Sequence, residues 1–141
     1  MSTGKGRVRG IGGIFFKVAD PAATRDWYRT HLGLGTDEYG TNFEWRRADD
    51  PSKPGYSQWS PFAADTTYFG PPAQSFMINY RVDDLLALVA ELRRAGVTIV
   101  DEITEYDYGK FVHILDGDGQ QIELWEPDDE QYGLIVGGTT Q

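Results

Sequence analysis

Glu123 and His113 are the residues of this chain best arranged for proton chemistry. They stand five positions to either side of Asp118, in the apolar runs 110–115 and 121–125 that flank Asp116-Gly117-Asp118-Gly119. An Asp-Gly turn between two such runs is a hairpin signal. A hairpin symmetric about Asp118 sets Glu123 directly opposite His113. A carboxylate and an imidazole so placed can share a proton and serve as base and acid. A competing reading makes His113 a satisfied wall residue and Glu123 its partner, or the partner of Arg81.

Side chains alternate across a strand, so parity assigns each strand residue to a face. Val112, Ile114, Ile122 and Leu124 are uniformly apolar and are expected to lie against helices. Their alternates Phe111, His113, Gln121, Glu123 and Trp125 then face a cavity. The same rule puts Gly13, Phe15 and Lys17, and Met77, Asn79 and Arg81, on the cavity side. It sends Ile14, Phe16, Val18, Ile78, Tyr80 and Val82 to the helix side. The result is an aromatic cup (Phe15, Phe111, Trp125) with a few polar groups, the usual make-up of a small-molecule site. Lys17 and Arg81, near strand ends, are placed to meet a substrate anion. The aromatics are also large enough to fill the cup and close it.

The elements that position these residues come as a repeat. Lys17 and Arg81, Val18 and Val82, and Asp20 and Asp84 are each 64 positions apart. That is the size of one supersecondary module duplicated within a fold. In the first copy, 11–18 reads as a strand, Asp20 as an N-cap with Pro21 behind it, and 22–31 as a helix stopped by Gly33. Trp27, Tyr28 and Leu32 are expected on its inner face. Strands are expected near 35–39, 41–47 and 56–60. In the second copy, 76–82 is a strand and Asp83 or Asp84 caps a helix with an apolar stripe at Leu85, Leu88, Val89 and Leu92. Strands at 97–103, 110–115 and 121–125 complete it. The fold class is α+β: two tandem β-α-β-β-β modules forming a curved mixed-sheet cup with helices outside. Module one spans 10–61, the linker 62–75 and module two 76–128, with tails at 1–9 and 129–141.

The chain has 141 residues, net charge −9 and no cysteine. So acidic a chain repels phosphate backbones and anionic membranes, so nucleic acid and membrane are not expected as partners. Disulfides, thiolate metal sites and a Cys nucleophile are excluded. No apolar run reaches the ~20 residues a bilayer span needs. A cytoplasmic location is expected. The basic, Gly-rich 1–9 reads as a solvated arm, not a signal peptide. The acidic run 128–130 reads as solvated surface, and 134–136 as an edge strand or docking segment.

Val18-Ala19-Asp20-Pro21, Trp27-Tyr28, Leu32-Gly33-Leu34, the Asp-Gly-Asp-Gly turn and Ile122-Glu123-Leu124-Trp125, set in two such modules, resemble the vicinal oxygen chelate superfamily. That group includes glyoxalase I, bleomycin-resistance proteins and extradiol dioxygenases, so the resemblance implies the cup fold but not one activity. In its metal-using members, ligands come from the first and last strand of each module. Matched strand by strand, those positions are Gly13, Ser57 or Gln58, Met77 and Glu123, of which only Glu123 keeps a good ligand. The expectation is a protein that binds a small organic molecule in an aromatic cup without cofactor or metal, by sequestration or with Glu123 and His113 moving a proton. One alternative is a metal-dependent lyase or dioxygenase using Glu123 with His113 and Gln58 recruited. Another is a non-catalytic interaction protein with a filled cup. A homodimer is expected, because open sheet edges invite a second chain.

Overall fold

The computed structural model describes residues 6–136. The elements run β1 (Arg7–Val18), α1 (Pro21–Leu32), β2 (Thr41–Arg46), β3 (Pro54–Ala63), β4 (Phe76–Asp83), α2 (Leu85–Arg94), β5 (Thr104–Tyr106), β6 (Gly109–Leu115), β7 (Gln121–Pro127) and α3 (Asp129–Val136). The strands form one open mixed sheet in the order β2-β3-β1-β4-β7-β6-β5. Each module places its last strand parallel to its first, β3 beside β1 and β7 beside β4. The modules join where β1 meets β4 antiparallel, with Ile14 opposite Ile78. These two residues are also 64 apart, so the pseudo-twofold of the repeat passes through this pair. Lys17 and Arg81 each lie three residues beyond it on equivalent strands.

Several elements differ from the sequence reading. Residues 35–39 form no strand, only an isolated bridge between Asp37 and Gly40, so module one is a strand short. The expected strand at 97–103 reduces to a bridge at Ile99, and the edge strand is Thr104–Tyr106. Arg7 to Arg9 are not a solvated arm but the start of β1, paired to Asp83 and Val82; residues 1–5 lie outside the described residues. The stretch 134–136 is helical.

The core of module two is built as the alternation requires. Val82, Val112, Ile114 and Leu124 meet Leu85 and Val89 of α2. Each such buried side chain contributes about 1.5–3 kcal/mol. Asp84 is the α2 N-cap, its carboxylate accepting from Ala87 N at 3.2 Å. Module one is looser. Asp20 caps α1 and Gly33, at φ 70°, ends it as expected, but α1 buries no residue fully. Tyr28 packs on Trp59, and Trp59 on Phe16. Trp27, Leu32 and Ile14, all expected inside, are exposed.

A third helix was not expected from the sequence. Asp128 caps α3 through Gln131 N at 3.1 Å, and Tyr132 packs on Tyr56 and Trp125. These belong with the cavity-side residues, so α3 lies on the opposite side of the sheet from α2. The acidic run is therefore not simply solvated. Asp129 makes a two-pronged ion pair with Arg81, at 2.9 and 2.6 Å.

Candidate functional site

The strand registers set a polar row across the concave face. Gln58 stands beside Gly13, Gly13 beside Asn79, Asn79 beside Glu123, and Glu123 opposite His113. The hairpin symmetry about Asp118 thus holds in the structure. Of the positions matched to metal ligands, Gln58 rather than its alternative Ser57 shares the row with Glu123, and Asn79 stands there in place of Met77, set by the β4–β7 register. In β1 a bulge adds one residue, Gly12, between the pairs Ile11–Tyr80 and Gly13–Asn79, which alters the simple alternation along that strand.

Glu123 is the centre of the site and is 2% exposed. Its Oε1 accepts from Asn79 Nδ2 at 2.7 Å, and its Oε2 from the Tyr68 hydroxyl. His113 Nε2 lies 2.9 Å from Oε2. That approach falls off the line of a formed hydrogen bond, and it becomes an ion pair when the imidazole is protonated. The other imidazole nitrogen is held firmly: Nδ1 is 2.6 Å from Asp101 Oδ2, and the His113 backbone N–H donates to Asp101 Oδ1 at 2.7 Å. Burial by itself would lower the imidazole pKa. The Glu123 and Asp101 carboxylates outweigh it and raise the pKa above its ordinary 6.5. Asp101 is half exposed, so a carboxylate–imidazole–carboxylate chain runs from the surface to the buried Glu123.

Asn79 is fixed by what it touches. Its Nδ2 must face the carboxylate, and this leaves its Oδ1 buried without a partner. That oxygen lies over Gly12, where a Cβ would come within 2.1 Å of it.

Apolar groups close both sides of the row. On one side Phe15 and Met77 pack with Phe69, supplied by the linker, and with Phe62. On the other, Trp125 packs with Tyr56 and with Tyr132 of α3, and Phe111 stacks on Trp125 at 5.6 Å. Tyr68 bridges the linker to the site. Its ring stacks on Phe62 at 5.7 Å and meets His113 edge-on at 5.2 Å. Burial and the Glu123 charge push its phenol pKa far up.

The two expected anion contacts are engaged elsewhere. Lys17 Nζ donates to Pro72 O at 3.0 Å. Arg81 is buried between Trp45 and Trp125, bound to Asp129 and donating to Tyr56 O at 3.3 Å. Two clefts, of about 500 and 530 Å3, open beside Arg47 and Asp129. Neither is lined by Glu123 or His113. Of the residues expected to line the cup, Glu123, His113, Asn79, Phe15, Phe111 and Trp125 all surround or flank the row. Tyr68 and Asp101 were not singled out. Asp101 falls in the strand expected at 97–103, but only the bridge from Ile99 to Ile114 brings it beside His113. Nothing in the local pattern marks Tyr68.

The fold and this row together define the class. The chain belongs to the glyoxalase/bleomycin resistance protein/dioxygenase superfamily, which matches residues 10–124. Among curated proteins no sequence matches. Solved structures share the fold. Methylmalonyl-CoA epimerase from Mycobacterium tuberculosis is 21% identical, with 89% of this chain and 93% of that one covered and a TM-score of 0.60. Streptomyces coelicolor methylmalonyl-CoA epimerase in complex with 2-nitronate-propionyl-CoA is 17% identical, with coverages of 86% and 99% and a TM-score of 0.64. The Mn(II)-bound glyoxalase from Novosphingobium aromaticivorans is 20% identical, with coverages of 86% and 40% and a TM-score of 0.55.

Proposed function

We propose that this chain binds a small organic molecule over the Glu123–His113 pair, with Asn79 and Gln58 along the floor and aromatic rings as walls. One observation carries the reading. A fully buried carboxylate sits among an amide, a phenol and an imidazole, in a sheet face otherwise packed with aromatics. Burying a charge is costly, and the last strand of module one fills the same row with a neutral amide, Gln58. Glu123 accepts or withholds a proton beside the ligand, and His113, turned by Asp101, exchanges it with the surface.

This reading does not use a divalent metal. Gly13 offers no side chain, and Gln58 Nε2 is turned to Ser60 Oγ at 3.2 Å. Met77 is a soft thioether contacted by Gln121 Nε2 at 3.7 Å. Glu123 and the recruited His113 would supply two donors, but both Glu123 oxygens are already engaged, and among the described residues no third His, Asp or Glu joins them. Such a donor set does not fit Mg, Mn, Fe(II) or Zn. The enzymes of similar fold named above are 17–21% identical to this chain, a likeness that lends it their architecture alone. The tight aromatic packing from the linker and α3 favours a second reading, a non-catalytic member whose cup is filled by its own side chains.

The deciding experiment follows the His113 ring signals by NMR against a panel of small aromatic acids, phenols, amines and acyl compounds. A ligand that shifts His113 and Trp125 together, and fails to do so in Glu123→Gln, supports binding at the row. A panel in which no member moves His113 leaves the filled-cup reading in place.

A further inference from the structure

Tyr68 does two things that do not belong together in a purely structural residue. Its hydroxyl donates to a carboxylate that is 2% exposed, yet the residue itself is 43% exposed. The ring thus forms the cover between Glu123 and solvent. It is also held by contacts separate from those that hold its backbone. Tyr68 O accepts from Gln121 Nε2 at 3.1 Å, and the next residue, Phe69, is wholly buried against Phe15 and Met77. Gln74 pins the far end of the segment, donating to Phe76 O and to Gln121 O at 2.8 Å each. The side chain can therefore turn outward about its own bonds while the linker stays in place.

The space it would vacate keeps its walls. Phe62 remains packed on Phe15 and Phe69, and presents the face on which the Tyr68 ring lies parallel, 4° from coplanar. His113 remains held by Asp101 and presents an edge at 88° to that ring. Glu123 keeps its Asn79 bond and its His113 contact, so the departing phenol leaves the carboxylate in place but one hydrogen bond short. What is left is a slot one aromatic ring wide, closed by a face on one side and an edge on another. A hydrogen-bond acceptor bearing negative charge lies at its end.

We propose that Tyr68 occupies the place of the ligand, and that the ligand is a single aromatic ring carrying a hydrogen-bond donor, as in a simple phenol. This rests on the proposed binding over Glu123 and names its ligand class. Tyr68 is a side-chain gate: an incoming ring must offer Glu123 a donor at least as good as the phenol it displaces. A ring without a donor leaves the carboxylate short of a partner and is rejected.

The test uses p-cresol, which is the Tyr68 side chain as a free molecule, against toluene and 4-methylanisole, which share its shape but cannot donate. Binding is read by calorimetry and by the His113 ring signals, in the wild type and in Tyr68→Ala. The expected result is p-cresol binding to Tyr68→Ala at least ~10-fold more tightly than to the wild type, and ~10-fold more tightly than either non-donor. Equal binding of toluene and p-cresol would show a mere apolar hole and overturn the proposal. So would a folded Tyr68→Ala that takes no p-cresol. Where Tyr68→Ala does not fold, Tyr68→Phe keeps the ring and removes only its bond to Glu123. It should bind p-cresol more tightly than the wild type does, and equal affinity overturns the gate. A panel member that shifts His113 in the wild type with no preference for donor rings sinks this proposal while leaving the wider binding reading intact.

Discussion

At the Glu123 carboxylate, proton chemistry is set by who is charged, and His113 reports it. Its pKa stands above 6.5 because Glu123 and Asp101 outweigh the cost of burying the imidazolium. The unfolded chain lacks those neighbours. Folding is therefore favoured by this group at pH below about 6.5. The contribution fades as pH rises through the raised value in the folded protein. An NMR titration should place the His113 midpoint above that of a free imidazole. Asp101→Asn should lower the midpoint while keeping an oxygen for the His113 backbone N–H, and Glu123→Gln should lower it further by removing the buried charge. A midpoint unmoved by either substitution would mean that the imidazole does not sense the carboxylates. Metal content gives a second residue-level expectation. Protein purified without chelator or histidine tag should hold well under one equivalent of Mn, Fe, Ni or Zn by elemental analysis. A full equivalent that is lost in Glu123→Gln would contradict the reading of the row.

Two elements, the β1 bulge and α3, turn the sheet into a site. At the bulge, Gly12 leaves room for Asn79 Oδ1, Arg81 Cγ and Trp125 Cε3, which a Cβ would approach to 2.1, 3.0 and 3.0 Å. Gly12→Ala should cost about 1–3 kcal/mol by overpacking and push Asn79 off Glu123. Urea unfolding measures the first effect, and a shifted His113 midpoint the second. Helix α3 is fastened by the Arg81–Asp129 pair, with side chains 7% and 12% exposed. Arg81→Ala leaves Asp129 unpaired and should cost about 3 kcal/mol, whereas Arg81 replaced together with Asp129 by apolar residues should cost much less. These elements also mark what the sequence could and could not disclose. The His113–Glu123 register was legible because Asp116 to Gly119 fix the turn locally, and the α2 stripe because Leu85, Leu88, Val89 and Leu92 repeat at helical spacing. Asn79 was legible as a cup residue from strand parity and Gln58 as a last-strand position, but the pairing of Gly13 with Asn79 was not, because a bulge in β1 changes its register and only the partner strand shows where it falls. Nor was α3: a short segment containing Gly133 has little periodicity of its own, and it is held by a residue 48 positions away. Tyr68 lay in a linker read as a spacer, where no spacing rule applies.

Over the whole molecule, the two modules share a plan but not a finish. The convex face of module two is sealed by α2, while that of module one is not sealed by α1, which packs over β3 through Tyr28 and Trp59. Between the helices, Val8, Ile11 and Ile14 of β1 lie opposite Val82, Tyr80 and Ile78 of β4. Paired residues share a face, and the register shifts in β1 keep all three apolar residues on it. They are 50%, 39% and 40% exposed, and Trp27 and Leu32 of α1 are exposed as well. The helix and sheet faces thus leave an apolar strip uncovered, on a chain whose net charge of −9 would otherwise keep copies apart. A second copy related by a twofold axis is the simplest cover, since the strip then meets itself and closes without growing into a fibre. We expect a homodimer formed through this face. Sedimentation at micromolar concentration should give twice the chain mass. Ile14→Lys should return it to the monomer with little loss of fold, because Ile14 is not part of the α2 core. A wild-type chain that stays monomeric at high concentration would overturn the dimer, and an Ile14→Lys chain that stays dimeric would move its interface away from this strip.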